Sequence, residues 1–267
     1  MIELIKQQLT KSMPDEEKLN RCRELIQLLC LKIFDEHKFF DNFSFTGGTA
    51  LRVVFGVKRF SEDLDFSLVK KEDYSFSRMT DDLLKALALA GLKAESKPKY
   101  ERTVHSAMLK FSGVLKEIGL SSLESQKLSI KLEVDTNPPK GGRIQTRIIQ
   151  RAYIFNVAHF DLPSMFATKL HACFFRKYTK GRDFYDFIWY MGNKMKPNLI
   201  LLNNAITQTQ GTNPAIDEGN LKEFLLKGIE KVDFQEAKRD VERFLEDKNE
   251  LRLFDAKLIK SSIEAVY

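Results

Sequence analysis

The residues of this chain that could do chemistry begin with two aspartates, Asp63 and Asp65, inside the run Glu62-Asp63-Leu64-Asp65-Phe66-Ser67-Leu68. In an extended chain successive side chains alternate between faces, so both carboxylates share one side while Leu64, Phe66 and Leu68 take the other. Like charges side by side repel. A divalent magnesium ion removes that repulsion, because it takes oxygen ligands and is commonly held by one or two carboxylates together with substrate phosphates. An exposed edge strand with two solvated acids gives the same pattern, so the pair alone leaves both readings open. Just upstream stands Gly47-Gly48-Thr49, where a short alternating run gives way to a helix-like segment. Such a turn presents backbone N–H groups and the positive end of a helix dipole to an anion; a plain glycine turn with Thr46 or Thr49 as helix cap is the simpler alternative. Together, the turn and the aspartates place a triphosphate grip and a metal site on neighbouring elements.

A third carboxylate is expected from an adjacent strand. From Lys127 to Asp135 the chain alternates, with Leu128, Ile130, Leu132 and Val134 on one face and Lys127, Ser129, Lys131, Glu133 and Asp135 on the other. Either Glu133 or Asp135 could complete the site, as a metal ligand or as the base for an attacking hydroxyl, and either could instead pair with Lys131 or Arg143. A second cluster spans Lys169 to Asp186. On a helix Lys169, Ala172, Cys173 and Arg176 form one stripe, which sets a lysine among small residues where it needs an anionic partner such as a nucleotide phosphate. Lys180-Gly181-Arg182-Asp183 then opens the next helix, with Asp183 and Asp186 on one side. A cap at Asp183 and an Arg182–Asp186 ion pair are the structural alternative. His171 reads as a packed or surface residue, and Tyr185, Trp189 and Tyr190 as core.

The elements that must position these groups follow from periodicity. Residues 1–13 are too short and polar to assign. Apolar spacings of three and four predict a long amphipathic helix from Pro14 to Phe39 that covers a sheet. A strand at Phe43–Thr46, helical turns from Ala50 to Phe55 and a strand from Glu62 to Leu68 come next. A helix is predicted over 80–92, then strands at 94–96, 104–111 and 127–135 and two basic β-rich segments between Arg143 and Phe155. From Pro163 the pattern is helical: 164–178, 182–192, about 198–209, 220–230, 234–247 and 251–265, with a loop at Gln208–Pro214. The expected fold is therefore α+β, a mixed sheet with flanking helices (residues 1–162) followed by an all-helical C-terminal domain (163–267) that contributes to the active site.

At 267 residues, 43% of them hydrophobic and 30% charged, the chain has the composition of a soluble globular protein. Its net charge of +6 suits a polyanionic partner such as RNA or a nucleotide. No apolar run approaches the roughly 18 residues of a membrane span and the N-terminus lacks a signal-peptide layout, so a cytoplasmic location without membrane attachment is expected. Cys22, Cys30 and Cys173 have no metal-finger spacing and read as buried free thiols.

Taken in order, Gly47-Gly48-Thr49, Arg59-Phe60-Ser61-Glu62-Asp63-Leu64-Asp65-Phe66, Lys169-Leu170-His171-Ala172 and Lys180-Gly181-Arg182-Asp183-Phe184-Tyr185-Asp186 resemble the AbiEii-type nucleotidyltransferase toxins. These belong to the polymerase-beta-like nucleotidyltransferase superfamily and are the toxin halves of AbiE toxin–antitoxin, or phage abortive-infection, pairs. The resemblance covers about residues 20 to 250. It implies a nucleotidyltransferase-type sheet, a nucleoside triphosphate as substrate, magnesium (or manganese) as cofactor, a cognate antitoxin and, as in some members, the acceptor end of tRNA as target. It also implies roles: Gly48 and Thr49 for the phosphates, Asp63 and Asp65 for the metal, Lys169 for the nucleotide, and Asp183 to complete the active site. From the residues themselves Gly47 and Arg182 join the candidate nucleotide contacts, Asp63, Lys169, Asp183 and Glu133 are the catalytic candidates and Asp135 a further metal candidate, the choice between Glu133 and Asp135 staying open. Other readings are transfer to a protein or small molecule, or a nucleotide-binding toxin without turnover.

Overall fold

The alternating runs become strands of one mixed sheet because each carries an apolar row that must be covered, and the long apolar stripe of the first major helix covers it. A computed structural model describes Met1–Tyr267. In chain order the first part holds α1 (Ile2–Gln8), α2 (Asp15–Glu36), β1 (Phe43–Thr46), α3 (Gly47–Phe55), β2 (Leu64–Leu68), α4 (Phe76–Leu89), β3 (Ala94–Glu95), β4 (Pro98–Tyr100), β5 (Val104–Phe111), α5 (Val114–Glu117), β6 (Leu128–Asp135), β7 (Ile144–Gln150) and β8 (Ile154–Phe160). The strands run β3-β5-β6-β2-β1-β8-β7 across the sheet, with β4 pairing β5 outside this path. β2 lies between an antiparallel β1 and a parallel β6.

The chain divides into two units. One comprises Met1–Val54, Phe60–Asn137 and Thr146–His159; the other comprises Phe55–Arg59, Pro138–Gln145 and Phe160–Tyr267. In the first, Phe34 of α2 meets Phe43 of β1 and Phe66 of β2 with ring centroids 5.8 and 5.3 Å apart. Phe43 and Phe66 lie 4.8 Å from each other. Cys22 and Cys30, on the buried side of α2, are free, and burial pushes each thiol up to about 12.

The second unit is mostly helical: α6 (Leu162–Phe175), α7 (Gly181–Gly192), α8 (Leu199–Gln210), α9 (Leu221–Ile229), α10 (Phe234–Val241) and α11 (Ala256–Val266). Asp161 caps α6 by accepting from the Ser164 N–H at 2.9 Å. Asn198 donates to the Gly141 carbonyl at 2.7 Å, and the Arg143 N–H donates to Ser164 Oγ at 3.1 Å, which fastens Pro138–Gln145 to the helices. No helix is long and apolar enough to cross a membrane.

The mixed sheet with flanking helices and a helical C-terminal part is the expected fold class, and several boundaries move. α1 occupies a stretch too short to read from sequence. α4 starts at Phe76, not residue 80, because Ser75 accepts from the Arg78 N–H. β4 begins at a proline, which fits its place outside the main strand path. α8 runs to Gln210 and stops at Gly211 (φ 76°), so Gln208–Gln210 is helix rather than loop. The helix expected over 234–247 ends at Val241, and the last helix begins at Ala256 after an Asp255 cap.

Candidate functional site

In the first unit the strand-to-helix turn passes directly beneath a carboxylate. Gly47 opens α3 with φ of 75°, and a Cβ at that position would stand 2.5 Å from Asp65 Oδ2. Only glycine permits both the left-handed backbone and the approach. The first N–H groups of α3 have no acceptor inside the helix, and its dipole puts positive charge there. The opposite end is closed: Arg147 donates to the Val54 carbonyl at 2.8 Å and Arg151 to the Arg52 carbonyl at 2.9 Å. Thr49 is buried, and its hydroxyl donates to the Asp63 carbonyl. What Thr49 offers a phosphate is therefore its backbone N–H, while its side chain ties the turn to the aspartate loop.

Asp63 precedes β2 and Asp65 lies within it. The Gln27 amide donates to the Ser61 carbonyl at 3.2 Å and Arg23 lies 3.6 Å from Glu62, so α2 holds the loop that carries Asp63. Asp65 sits in register with Thr46 of β1 on one side and Glu133 of β6 on the other. Lys131 reaches Glu133 at 2.7 Å. Its ammonium is held above the usual lysine range by that hydrogen bond, which outweighs partial burial, and by the fields of Glu133, Asp63 and Asp65. Asp135 stands one step further along, opposite Ser67, and accepts from the Asn137 N–H at 2.9 Å. Burial raises its carboxyl above the usual range despite that bond.

The donors around Asp63 and Asp65 are oxygens, with neither histidine nor cysteine among the residues in register, which suits a hard cation. No group of three or more acidic, histidine or cysteine side chains is gathered as a ready metal cage.

The second unit holds its own charge cluster. Lys169, buried on α6, reaches Asp183 Oδ1 at 2.7 Å and Asp186 Oδ2 at 2.8 Å, both on α7. Arg176 pairs with the other Asp183 oxygen. Arg59, 1% exposed, grips Asp186 in a bidentate pair, Nε to Oδ1 at 2.7 Å and Nη2 to Oδ2 at 2.5 Å. Burial alone would lower the lysine and raise the aspartate; the mutual pairing prevails, so Lys169 is raised and Asp183 lowered from their ordinary values. The anionic partner that a semi-buried lysine needs is thus supplied by the chain itself. α7 has no side-chain cap from its N-cap residue Lys180; Asp240 accepts the Gly181 N–H at 2.7 Å, and Arg182 lies over the Phe244 ring at 4.1 Å. Tyr185 and Tyr190 are buried as expected, and His171 stacks on Phe175 with its Nε2 2.8 Å from Thr209 Oγ1.

Two residues of this cluster, Arg59 and Asp186, carry more than sequence reading gave them. Their partnership spans 127 positions; the sequence offered both residues only within the motifs Arg59–Phe66 and Lys180–Asp186, with Arg182 as the partner of Asp186.

A sheet with β2 between antiparallel and parallel neighbours, with a glycine turn and acidic strand positions at one end, defines a nucleotidyltransferase-like fold, and solved structures share it. JHP933 from Helicobacter pylori superposes with a TM-score of 0.56 at 20% identity, covering 91% of this chain and 90% of that one. A candidate nucleotidyltransferase of H. pylori gives 0.50, also at 20% identity, over 97% and 99% of the two chains. No curated protein matches this sequence. The family described as nucleotidyl transferase AbiEii toxin, type IV toxin–antitoxin system, matches residues 29–260. The chain belongs to that family: it is a nucleotidyltransferase toxin, for which a cognate antitoxin is implied.

Proposed function

We propose that the chain transfers a nucleoside monophosphate from a nucleoside triphosphate to an acceptor hydroxyl, with tRNA as the acceptor. The observation that carries this reading is the placement of Gly47 under the Asp65 carboxylate, 2.5 Å from a Cβ it does not have, at the anion-binding end of α3. The N–H groups of Gly47, Gly48 and Thr49 bind the triphosphate. Asp63 and Asp65 hold magnesium, or manganese, which when bound supplies neutralisation of phosphate charge. Glu133 is taken as the third carboxylate because it is level with Asp65 in register, whereas Asp135 lies opposite Ser67.

The acceptor oxygen bonds to the α-phosphorus, the bond to the bridging oxygen breaks, pyrophosphate leaves with the electron pair, and the hydroxyl proton passes to Glu133. Labelled-nucleotide transfer to total tRNA and to protein, with magnesium present, tests the proposal. Asp63→Ala is expected to lower the rate about a hundredfold or more, the equivalent of about 3 kcal/mol of lost stabilisation. A D63A variant with undiminished transfer overturns it.

A further inference from the structure

The segment joining α6 to α7 has the chemistry of a single-stranded nucleic-acid platform. Arg176-Lys177-Tyr178-Thr179-Lys180-Gly181-Arg182 carries four cations and no acid. Both feet of this segment are fixed. At the first, Phe175 stacks on Phe224 at 6.3 Å and Arg176 is tied to Asp183. At the second, a Cβ on Gly181 would fall 1.9 Å from the Ala237 carbonyl oxygen, so the backbone of α7 is pressed against α10, and Asp240 holds the Gly181 N–H.

Between these anchors the loop stands outward. Tyr178 is 68% exposed, and Lys177 and Lys180 are exposed as well. The Lys177 ammonium lies 5.3 Å from the centre of the Tyr178 ring. The loop thus leaves an aromatic ring in water with one ammonium beside it and a second lysine two residues on, a pairing of open ring face and positive charge.

We infer that this loop docks the acceptor as an unpaired RNA end, with a base stacked on Tyr178 and flanking phosphates met by Lys177 and Lys180. An unpaired strand is favoured over a duplex because stacking on a side chain needs a base whose face is open. RNA is favoured over an acidic peptide because a carboxylate-rich chain would use the lysines and leave the ring idle. The inference rests on the proposed transfer to an RNA acceptor, and the loop joins α6 and α7, the helices that carry Lys169 and Asp183.

The test is fluorescence anisotropy of a labelled 12-nucleotide single-stranded RNA on the full chain, without nucleotide or magnesium, across a salt series. Duplex RNA and polyglutamate serve as competitors. Tyr178→Ala is expected to weaken binding about 5- to 100-fold, as loss of one stacked base does, and Tyr178→Phe to preserve it. The double variant K177Q/K180Q is expected to reduce the slope of log affinity against log salt by about 1.4, two phosphates at roughly 0.7 each. Unchanged affinity in Y178A with an unchanged salt slope in the double variant overturns the inference, as does polyglutamate competing as well as RNA. Because no turnover is read, these outcomes stand apart from the D63A transfer assay: transfer could survive with another acceptor while the platform fails, or the platform could bind RNA while transfer fails.

Discussion

Lys131 is the residue whose position carries the most consequence for the first-unit site. Three carboxylates, Asp63, Asp65 and Glu133, act on its ammonium, so in the absence of a divalent ion the lysine supplies the positive charge that the cluster lacks. Removing it leaves like charges in adjacent register positions, which destabilises a sheet. Lys131→Met is therefore expected to lower thermal stability in chelator by about 1 kcal/mol, roughly the loss of one half-buried ion pair. It is also expected to enlarge the rise in Tm on adding magnesium, because a ligand that binds only the folded state stabilises according to its affinity. Differential scanning fluorimetry with EDTA and with millimolar magnesium reads both. Equal magnesium shifts in wild type and K131M would show that the lysine does not compete for the acidic cluster. The acids themselves were legible in the sequence, since alternation puts Asp63 with Asp65 and Glu133 with Asp135. Which of the last two lies level with Asp65 was not, because that depends on parallel register between β2 and β6, strands more than sixty residues apart, and no local pattern encodes that pairing.

At the scale of elements, α7 joins the buried charge cluster to the packing of the second unit. Asp183 and Asp186 face Lys169, while the start of the helix is seated on α10 at Gly181. A methyl group there meets a backbone carbonyl rather than a flexible side chain, so either α7 or α10 must move. Gly181→Ala is expected to destabilise the protein by about 3 kcal/mol, at the upper end of the range for overpacking, despite alanine's better helix propensity. Urea unfolding at neutral pH measures it, and a neutral or stabilising substitution would contradict the packing described. The sequence marked Gly181 only as an opening residue of the helix. A long periodic helix such as α2 announces itself through its own spacing, whereas the reason for a glycine at α7 lies on α10, and the partner of Arg59 lies on α7. Helices and strands were readable because their signals are local; boundaries at α4 and α8 shifted where a cap or a glycine outweighed periodicity.

For the molecule as a whole, the second unit couples its stability to acid through Asp183. Its carboxyl is buried, which alone would raise it, but Lys169, Arg176 and Arg59 hold it below its ordinary value of 3.8. A carboxyl depressed in the folded state binds more protons when unfolded, so stability rises with pH wherever that difference operates. The contribution is complete above the unfolded value and is lost as pH falls through the folded one. Trp189 is the protein's single tryptophan and sits on α7, so its fluorescence reports unfolding of this unit without a competing signal from the sheet. Urea midpoints followed by Trp189 emission are expected to be insensitive to Asp183 between pH 7 and about pH 5. Below about pH 4 they are expected to fall steeply. Asp183→Asn should lower the midpoint already at pH 7, by less than the roughly 3–5 kcal/mol of a wholly broken buried pair, because Asp186 still faces Lys169 at 2.8 Å. It should also flatten the acid limb, the other carboxyls of the unit supplying the remainder. Parallel pH curves for wild type and D183N would show that the Lys169–Asp183–Arg176 pairing does not hold the carboxyl down.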